Sequence, residues 1–341
     1  MTTTAVIGCG TISIVHFKAI KALSDCRLVA VCDTDPATAA AMSEWHGVPA
    51  YASHQELLAA VRPDVVHIAT PHDQHVQPAI DCLAAGVNVL VEKPVAHTMS
   101  EAWRLVEAAE RPGSPKIGVC FQNRYNTTSQ TIHAKLRSGD LGTVLGASAT
   151  VFWHRTEAYY HARPWRGLVD RGGGGVLINQ AIHSLDLLQW LLGEVVDVSG
   201  FTGRLALEGV IEVEDSALLV LDHAGGARTV FAASNANATD SPVTMEIATE
   251  SAELFLRHDL TISYADGRTE TVAERRATSA GRAYWGVSHD LLIADFYARL
   301  ADPEPFWISP REAVKSLEIL TRAYSSVPAG GGNRPAVGLS G

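Results

Sequence analysis

A chain of 341 residues is longer than one ordinary hydrophobic core and suits two domains, which 47% hydrophobic residues are enough to fill. Its formal net charge of -10, with no Lys/Arg run longer than Arg275-Arg276, excludes a nucleic-acid binder that works through a basic face. No apolar stretch approaches the ~20 residues of a membrane helix, and Met1-Thr2-Thr3-Thr4 runs into a strand pattern without the charged region of a signal peptide, so a cytoplasmic location is expected.

Residues 4–8 form a short apolar run, followed by a helical pattern carried by Ile12, Val15, Phe17, Ile20 and Leu23. A second run, 28–32, ends at Asp33. Helices are expected near 36–46 and 55–61, a buried strand over 64–69, and a helix over 74–85 closed by Gly86. A strand over 88–91 follows. The next helix opens at Thr98, which stands three residues before Glu101 as in a capping box. Residues 116–121 read as one more strand. Apolar strands alternating with helices predict an α/β domain with a doubly wound parallel sheet over 1–122. After Gly142 the rhythm changes. Residues 144–153 alternate as a strand, 153–166 are aromatic and Arg-rich, and Gly172–Gly175 precede a helix over 176–192. Strand patterns joined by turns dominate 195–273, and helices close the fold near 285–301 and 310–327. This predicts a second, α+β domain over 123–328 with a large, mainly antiparallel sheet, and a flexible Gly/Pro-rich tail over 329–341.

Five cysteines (Cys9, Cys26, Cys32, Cys82, Cys120) show no C-x-x-C spacing and read as reduced, buried thiols. The Asn-x-Thr sequences at Asn126 and Asn237 are then chance matches.

The turn Gly8-Cys9-Gly10-Thr11-Ile12-Ser13 joins the first strand to the first helix. The first glycine permits the tight turn, and the second lets the backbone approach a pyrophosphate lying on the helix N-terminus. Ser13 replaces the usual third glycine. Asp33 lies about 20 residues after that turn, where a carboxylate accepts hydrogen bonds from the adenosine ribose. It would repel a 2′-phosphate, so NAD is expected, with NADP as the alternative.

Glu92-Lys93-Pro94 follows the strand at 88–91, on the sheet edge where open α/β sheets bind ligands. Asn179 and His183 are four apart on one helix face, with Asp186 three further along it. A histidine near neutral pKa takes up the alcohol proton as a carbonyl forms, and a nearby lysine cation stabilises the developing oxyanion. His72 and His75 form an i, i+3 pair, but no third ligand with suitable spacing appears, so no metal is expected.

The set of glycine turn, Glu92-Lys93-Pro94, Gln122-Asn123-Arg124, Trp165-Arg166-Gly167 and the helix pattern Asn179-x-x-x-His183-x-x-Asp186 resembles the Gfo/Idh/MocA family of glucose-fructose oxidoreductase and inositol dehydrogenase. The resemblance implies NAD(P)-dependent hydride transfer at a secondary alcohol or ketone of a sugar or cyclitol, with Lys93 and His183 as the family's lysine and histidine. Asn179 stands where the family's usual aspartate lies four residues before the histidine. It can orient a hydroxyl but cannot act as a base. The expected cofactor contacts are Gly8, Gly10, Thr11, Ile12, Asp33, Thr70, Pro71, His75, Glu92, Lys93, Gln122, Trp165 and Arg166. The expected substrate contacts are Asn179, Tyr160, Arg155 and Arg124, with Tyr159 and His154 beside them. A homodimer or homotetramer formed through the open sheet face is also implied. Two other readings within this resemblance are an enzyme that uses NAD transiently in glycoside cleavage and a non-catalytic cofactor-binding regulator. Retention of both Lys93 and His183 argues against the regulator.

Overall fold

The computed structural model describes residues 1–276 and 288–326. The expected tail at 329–341 and the start of the helix expected from 285 lie outside the described residues.

The first half builds a parallel sheet from β1 (Thr2–Ile7), β2 (Cys26–Cys32), β3 (Ala50–Tyr51), β4 (Val65–Ile68), β5 (Asn88–Val91) and β6 (Ile117–Val119), in the order β3-β2-β1-β4-β5-β6. Helices α1 (Ser13–Ala22), α2 (Pro36–His46), α3 (His54–Ala60), α4 (Val76–Ala84) and α5 (Met99–Ala109) form the crossovers. Val65, Val66, Ile68, Val89, Leu90 and Val91 have no exposure, which is why these strands read as unbroken apolar runs. The helix starts follow local chemistry. Asp35 accepts the Thr38 amide at 3.1 Å, with Pro36 first in α2, and Thr98 accepts the Glu101 amide at 3.3 Å. Gly86, at φ +80, terminates the turn after α4. The two-residue edge strand β3 was not anticipated.

The second half opens with α6 (Thr127–Ser138), also unanticipated, and β7 (Val144–Phe152). Short helices α7 (Glu157–His161) and α8 (Val169–Gly172) lead to α9 (Ile182–Leu192). The strands β8 (Val195–Gly203), β9 (Ser216–His223), β10 (Arg228–Ser234), β11 (Thr244–Thr249), β12 (Ala252–Arg257), β13 (Asp259–Tyr264) and β14 (Thr269–Val272) complete an eight-stranded sheet, ordered β14-β13-β12-β11-β7-β10-β9-β8. Every neighbouring pair is antiparallel except β7 with β10. The helices α10 (His289–Ala298) and α11 (Pro310–Ser326) return to the first sheet: α10 packs on α1, and α11 packs on α5 as well as on β8 and α9. One continuous apolar core runs through both sheets, including the fully buried Phe121, Ile178, Phe231, Phe296 and Phe306. The cleft between the halves opens at the carboxyl ends of the parallel strands.

Candidate active site

A cleft of about 830 Å³ runs from the glycine turn to the start of α9. At its first end the chain leaves β1 through Gly8, at φ +87, where a Cβ would lie 2.6 Å from the Ala69 carbonyl carbon. Only glycine fits this approach of the turn to the end of β4. A Cβ on Gly10 would meet nothing within 4 Å, so the outer side of the turn opens into the cleft. Ile12, the N-cap of α1, provides no side-chain acceptor, while the Ser13 and Val15 amides donate to the Gly10 and Ile12 carbonyls at 3.2 and 3.1 Å, so the helix N-terminus faces the cleft without a side-chain cap. Ser13 is fully buried and its hydroxyl donates to the Gly10 carbonyl at 2.6 Å. The serine therefore tightens the turn where a third glycine is usual.

Asp33 accepts the amides of Cys9 at 2.8 Å and Asp35 at 2.9 Å, one on each oxygen. These bonds fix the carboxylate at the cleft rim, and each oxygen keeps acceptor capacity. Thr11, Ile12, Thr70 and Pro71 line the same stretch. An open glycine cradle, a helix N-terminus without a side-chain cap and a fixed carboxylate at one end fit a dinucleotide.

At the other end Lys93 and His183 face the same cleft from the two halves of the chain. Lys93 Nζ donates to the Asn179 carbonyl at 2.9 Å. Asn179 lies in a single π-turn, Leu177–Ala181, that precedes α9, so the helix expected over 176–192 is not regular at its start. Such turns recur at functional sites. Glycines make the entry possible: Gly173 has φ +79, and a Cβ on Gly175 would collide with the Glu214 carbonyl. The buried Glu214 carboxylate accepts the amides of Gly175 at 2.8 Å and Leu177 at 3.0 Å, capping the segment that carries Asn179 and His183.

Burial and the Lys93 charge push the His183 pKa well below the usual histidine value, so its ring is neutral near pH 7. Its Nδ1 is buried without a hydrogen-bond partner among the described residues. Its Nε2 lies 3.5 Å from the Gln122 amide nitrogen. Burial also lowers the Lys93 pKa, with Glu92 opposing that shift and Arg166 adding to it.

Glu92, Gln122, Trp165, Arg166 and Arg155 line the cleft as well. Arg155 is held by the Asp240 carboxylate at 2.8 Å, and the Arg166 guanidinium lies 4.3 Å from the centre of the Tyr159 ring. His72 lines the cleft, stacks edge-on to Trp165 and sits 2.9 Å from the Gly172 carbonyl.

Three expected contacts are placed elsewhere. Arg124 is buried, with its Nε and Nη2 on the Asp186 carboxylate at 2.7 and 2.6 Å and its Nη1 on Glu312 at 3.1 Å. It braces α9 against α11 and is not among the residues lining the cleft, and Asp186 turns toward it and away from the cleft that His183 lines. Tyr160 is buried against Leu207, Ile211 and Val213, with its hydroxyl accepting from Asn235 at 3.0 Å; Tyr159 lines the cleft in its place. The ring nitrogens of His75 lie 2.7 Å from the Pro94 carbonyl and 3.0 Å from the Thr70 carbonyl, so His75 pins two cleft loops together and does not itself reach the cleft. His154 also stays outside, bonded to the Asn237 carbonyl.

The structure adds Trp153, Gln180 and His289 to the lining. Gln180 was legible only as the neighbour of Asn179, and His289 comes from a distant helix with no spacing signal. His16, Glu92 and Cys120 bring three ligand-type atoms within 4.8 Å of one another, but these groups already bond one another through Glu92.

Sheet order, glycine cradle and a lysine–histidine pair across the cleft define a class, the two-domain dinucleotide-binding proteins of Rossmann type. Residues 2–119 match an oxidoreductase family with an NAD-binding Rossmann fold, and residues 129–255 match the GFO/IDH/MocA C-terminal domain. The WlbA dehydrogenase of Bordetella pertussis, solved with NADH and UDP-GlcNAcA, is 30% identical over 95% of this chain and 96% of its own, with a TM-score of 0.82. Inositol 2-dehydrogenase 2 of Saccharopolyspora erythraea is 32% identical over 65% of this chain and 63% of its own length. D-glucoside 3-dehydrogenase of Escherichia coli is 31% identical over 55% and 53%. The match thus spans less than two thirds of these curated relatives. The chain belongs to the Gfo/Idh/MocA oxidoreductase family.

Proposed function

We propose that the chain is an NAD-dependent dehydrogenase that transfers a hydride between nicotinamide and a secondary alcohol or ketone of a sugar, sugar derivative or cyclitol. The observation that carries this reading is the meeting of Lys93 and His183 in one cleft whose far end is the glycine turn and Asp33.

Gly8, Gly10, Thr11 and Ile12 would hold the pyrophosphate, Asp33 the adenosine ribose, and Thr70, Pro71, Glu92, Gln122, Trp165 and Arg166 the nicotinamide half. The cofactor, when bound, supplies the hydride acceptor or donor. Neutral His183 takes the hydroxyl proton as the carbonyl forms and returns it in reduction. Lys93 donates to the same oxygen and stabilises its developing charge. Asn179, Arg155 and Tyr159 orient the ring hydroxyls. The relatives named for inositol and glucoside dehydrogenation support this substrate class. Five free cysteines, four of them buried, support a reducing compartment, the cytoplasm.

The test is a panel of pyranoses, inositols and their keto forms with NAD+ or NADH, read by nicotinamide absorbance. Net cofactor reduction with a polyol or net oxidation with a keto form is expected. Product formation without net cofactor change would instead favour transient oxidation during glycoside cleavage.

A further inference from the structure

The π-turn that carries Asn179 is an irregular start to a helix, and its shape needs support from outside. A π-turn holds one residue more than the α-helical path, and each helical residue turns the chain by about 100°. Relaxing it to regular helix would therefore swing Asn179 away from its present bearing. The first amides of a helix have no partner within it. Here one residue, Glu214, takes three in a row. Its Oε2 accepts from Gly175 at 2.8 Å, its main-chain carbonyl from Val176 at 3.0 Å, and its Oε1 from Leu177 at 3.0 Å.

Backbone amides only donate, so the direction of these bonds is fixed. Glu214 is itself held from two sides. The Tyr324 hydroxyl of α11 donates to Oε1 at 3.0 Å, and a Cβ on Gly174 would collide with that hydroxyl. Asp215, next in sequence, accepts the amides of Leu205, Ala206 and Leu207, each at 2.9 Å, which anchors the chain from which Glu214 projects. At the other end of the π-turn the Asn179 carbonyl accepts from Lys93 Nζ at 2.9 Å. The Asn179 amide bonds back to the Gly175 carbonyl at 3.0 Å, so a shift at Gly175 is carried to Asn179.

We propose that Glu214 and Tyr324 are positioning residues that hold the π-turn in the register at which the Asn179 carbonyl anchors Lys93. Neither is among the residues lining the cleft, so both act through the turn between them and the lysine. An ordinary cap would steady the start of the helix and leave Lys93 alone. The clamp differs because the amides that Glu214 accepts and the carbonyl that Lys93 holds belong to one short turn, Gly175 to Asn179. Coupling between two contacts is reciprocal, so Lys93 in turn helps to hold the amides on Glu214. The aim of the active-site cation is thereby set partly from α11, 110 residues beyond Glu214 in sequence.

This inference rests on Lys93 as the active-site cation, but one arm of its test needs no substrate. Glu214→Gln keeps the shape, retains one acceptor and sets an N–H against the other amide. Amide hydrogen exchange of the segment 173–181, read by mass spectrometry, should quicken by roughly 10-fold or more in this variant, with the parallel sheet unchanged. Tyr324→Phe, which removes one donor and keeps the ring, should act in the same direction and by less. Lys93→Met should also quicken exchange of this segment, by roughly 3-fold or more, because the coupling runs both ways. Where turnover is measurable, Glu214→Gln should lower kcat by roughly 10-fold or more, as a displacement of about 1 Å at reacting groups does, while NADH affinity stays within roughly 2-fold. The double variant Glu214→Gln, Lys93→Met should lose less than the product of the two single losses. The proposal is overturned if Lys93→Met leaves exchange of the segment unchanged, for Glu214 is then a cap without a link to the lysine. It is equally overturned if exchange rises uniformly along the chain, or if the two losses in kcat multiply. Should Glu214→Gln fail to fold, Tyr324→Phe and Lys93→Met carry the same exchange comparison. A wild type that oxidises no polyol sinks the dehydrogenase reading, and the exchange comparison alone then decides this one.

Discussion

The ammonium of Lys93 and the main-chain carbonyl of Asn179 meet at 2.9 Å, joining the loop after β5 to the π-turn ahead of α9. The partner is the backbone of Asn179, so the bond is indifferent to the side chain there and leaves the Asn179 amide free to address a substrate hydroxyl. It also fixes the lysine's proton-bearing end at the cleft, where the proposed reaction places the substrate oxygen. A charge pre-aimed in this way costs no reorganisation when negative charge develops.

Replacing that cation tests its role. Lys93→Met should lower turnover by roughly 10²-fold or more, since it removes the group stabilising the oxyanion. It should also move the acid limb of the pH–rate profile. Burial first and the Lys93 charge second hold the His183 pKa down, so removing the charge raises it. In the oxidative direction the limb marks deprotonation of His183 and should therefore shift to higher pH. A residual rate whose limb stays in place would show that Lys93 does not act on His183.

His183 is the proposed proton acceptor. His183→Ala should cut turnover by roughly 10²–10⁴. NADH affinity should change little, because the histidine lies at the far end of the cleft from the glycine turn. In the wild type the acid limb should fall below the ordinary histidine range of about 6.5, because the folded pKa is depressed. The limb should vanish in the alanine variant. Near-normal turnover with an intact limb would mean that another group moves the proton.

Much of this site was legible because its signals are local. A glycine turn after an apolar strand, an acidic residue ending the next strand and a lysine ending a third each lie on one edge of the sheet by topology alone. The errors came where burial decides. Arg124 reads as a substrate contact in sequence, yet the structure pairs it with Asp186. Tyr159 and Tyr160 lie on a five-residue helix whose phase the sequence does not fix. Glu214, Tyr324 and His289 owe their positions to contacts across the whole chain, which no spacing reports. The helix α6 was missed because only Thr128, Ser129 and Ile132 among its residues are buried, too few to make an apolar stripe.

Asp33 should decide cofactor choice. Its carboxylate, fixed by the Cys9 and Asp35 amides, cannot turn away from the cleft without breaking both bonds. A 2′-phosphate placed against it would be repelled, so NAD(H) should bind more tightly than NADP(H) in fluorescence titrations. Asp33→Ser should narrow the difference. Equal or tighter binding of NADP(H) by the wild type would refute the assignment.

The buried ion pair of Arg124 and Asp186 is a stability feature. Arg124 also lies over the Trp190 and Trp307 rings, at 5.5 and 5.7 Å from their centres. Arg124→Met strands the Asp186 carboxylate in the core and should cost about 3–5 kcal/mol in urea unfolding. Replacing both, with Arg124→Met and Asp186→Leu, should recover much of that loss, because the uncompensated charge is gone. A small effect of the single substitution would mean that the Ser316 hydroxyl, 3.1 Å from Asp186, suffices to satisfy it.

The open face of the large sheet points to assembly. On β9 and β10 the residues Leu219, Leu221, Phe231 and Ala233 face the core, while Leu218 and Val230 alternate to the other side and are half exposed. Leu145 on β7 and Phe255 on β12 are exposed as well. An antiparallel sheet can leave one face to water, but that face is then polar. Leu218 and Val230, on neighbouring strands, are the candidate interaction surface on that face. A second copy of the same chain, packing face to face, would cover them, giving a homodimer or homotetramer. Light scattering at micromolar concentration should report two or four chains. Leu218→Glu together with Val230→Glu places like charges on both faces of such an interface and should shift the mass to one chain, with the fold retained by circular dichroism. A wild type that scatters as a monomer, or a double variant that keeps the wild-type mass, would move the assembly surface elsewhere.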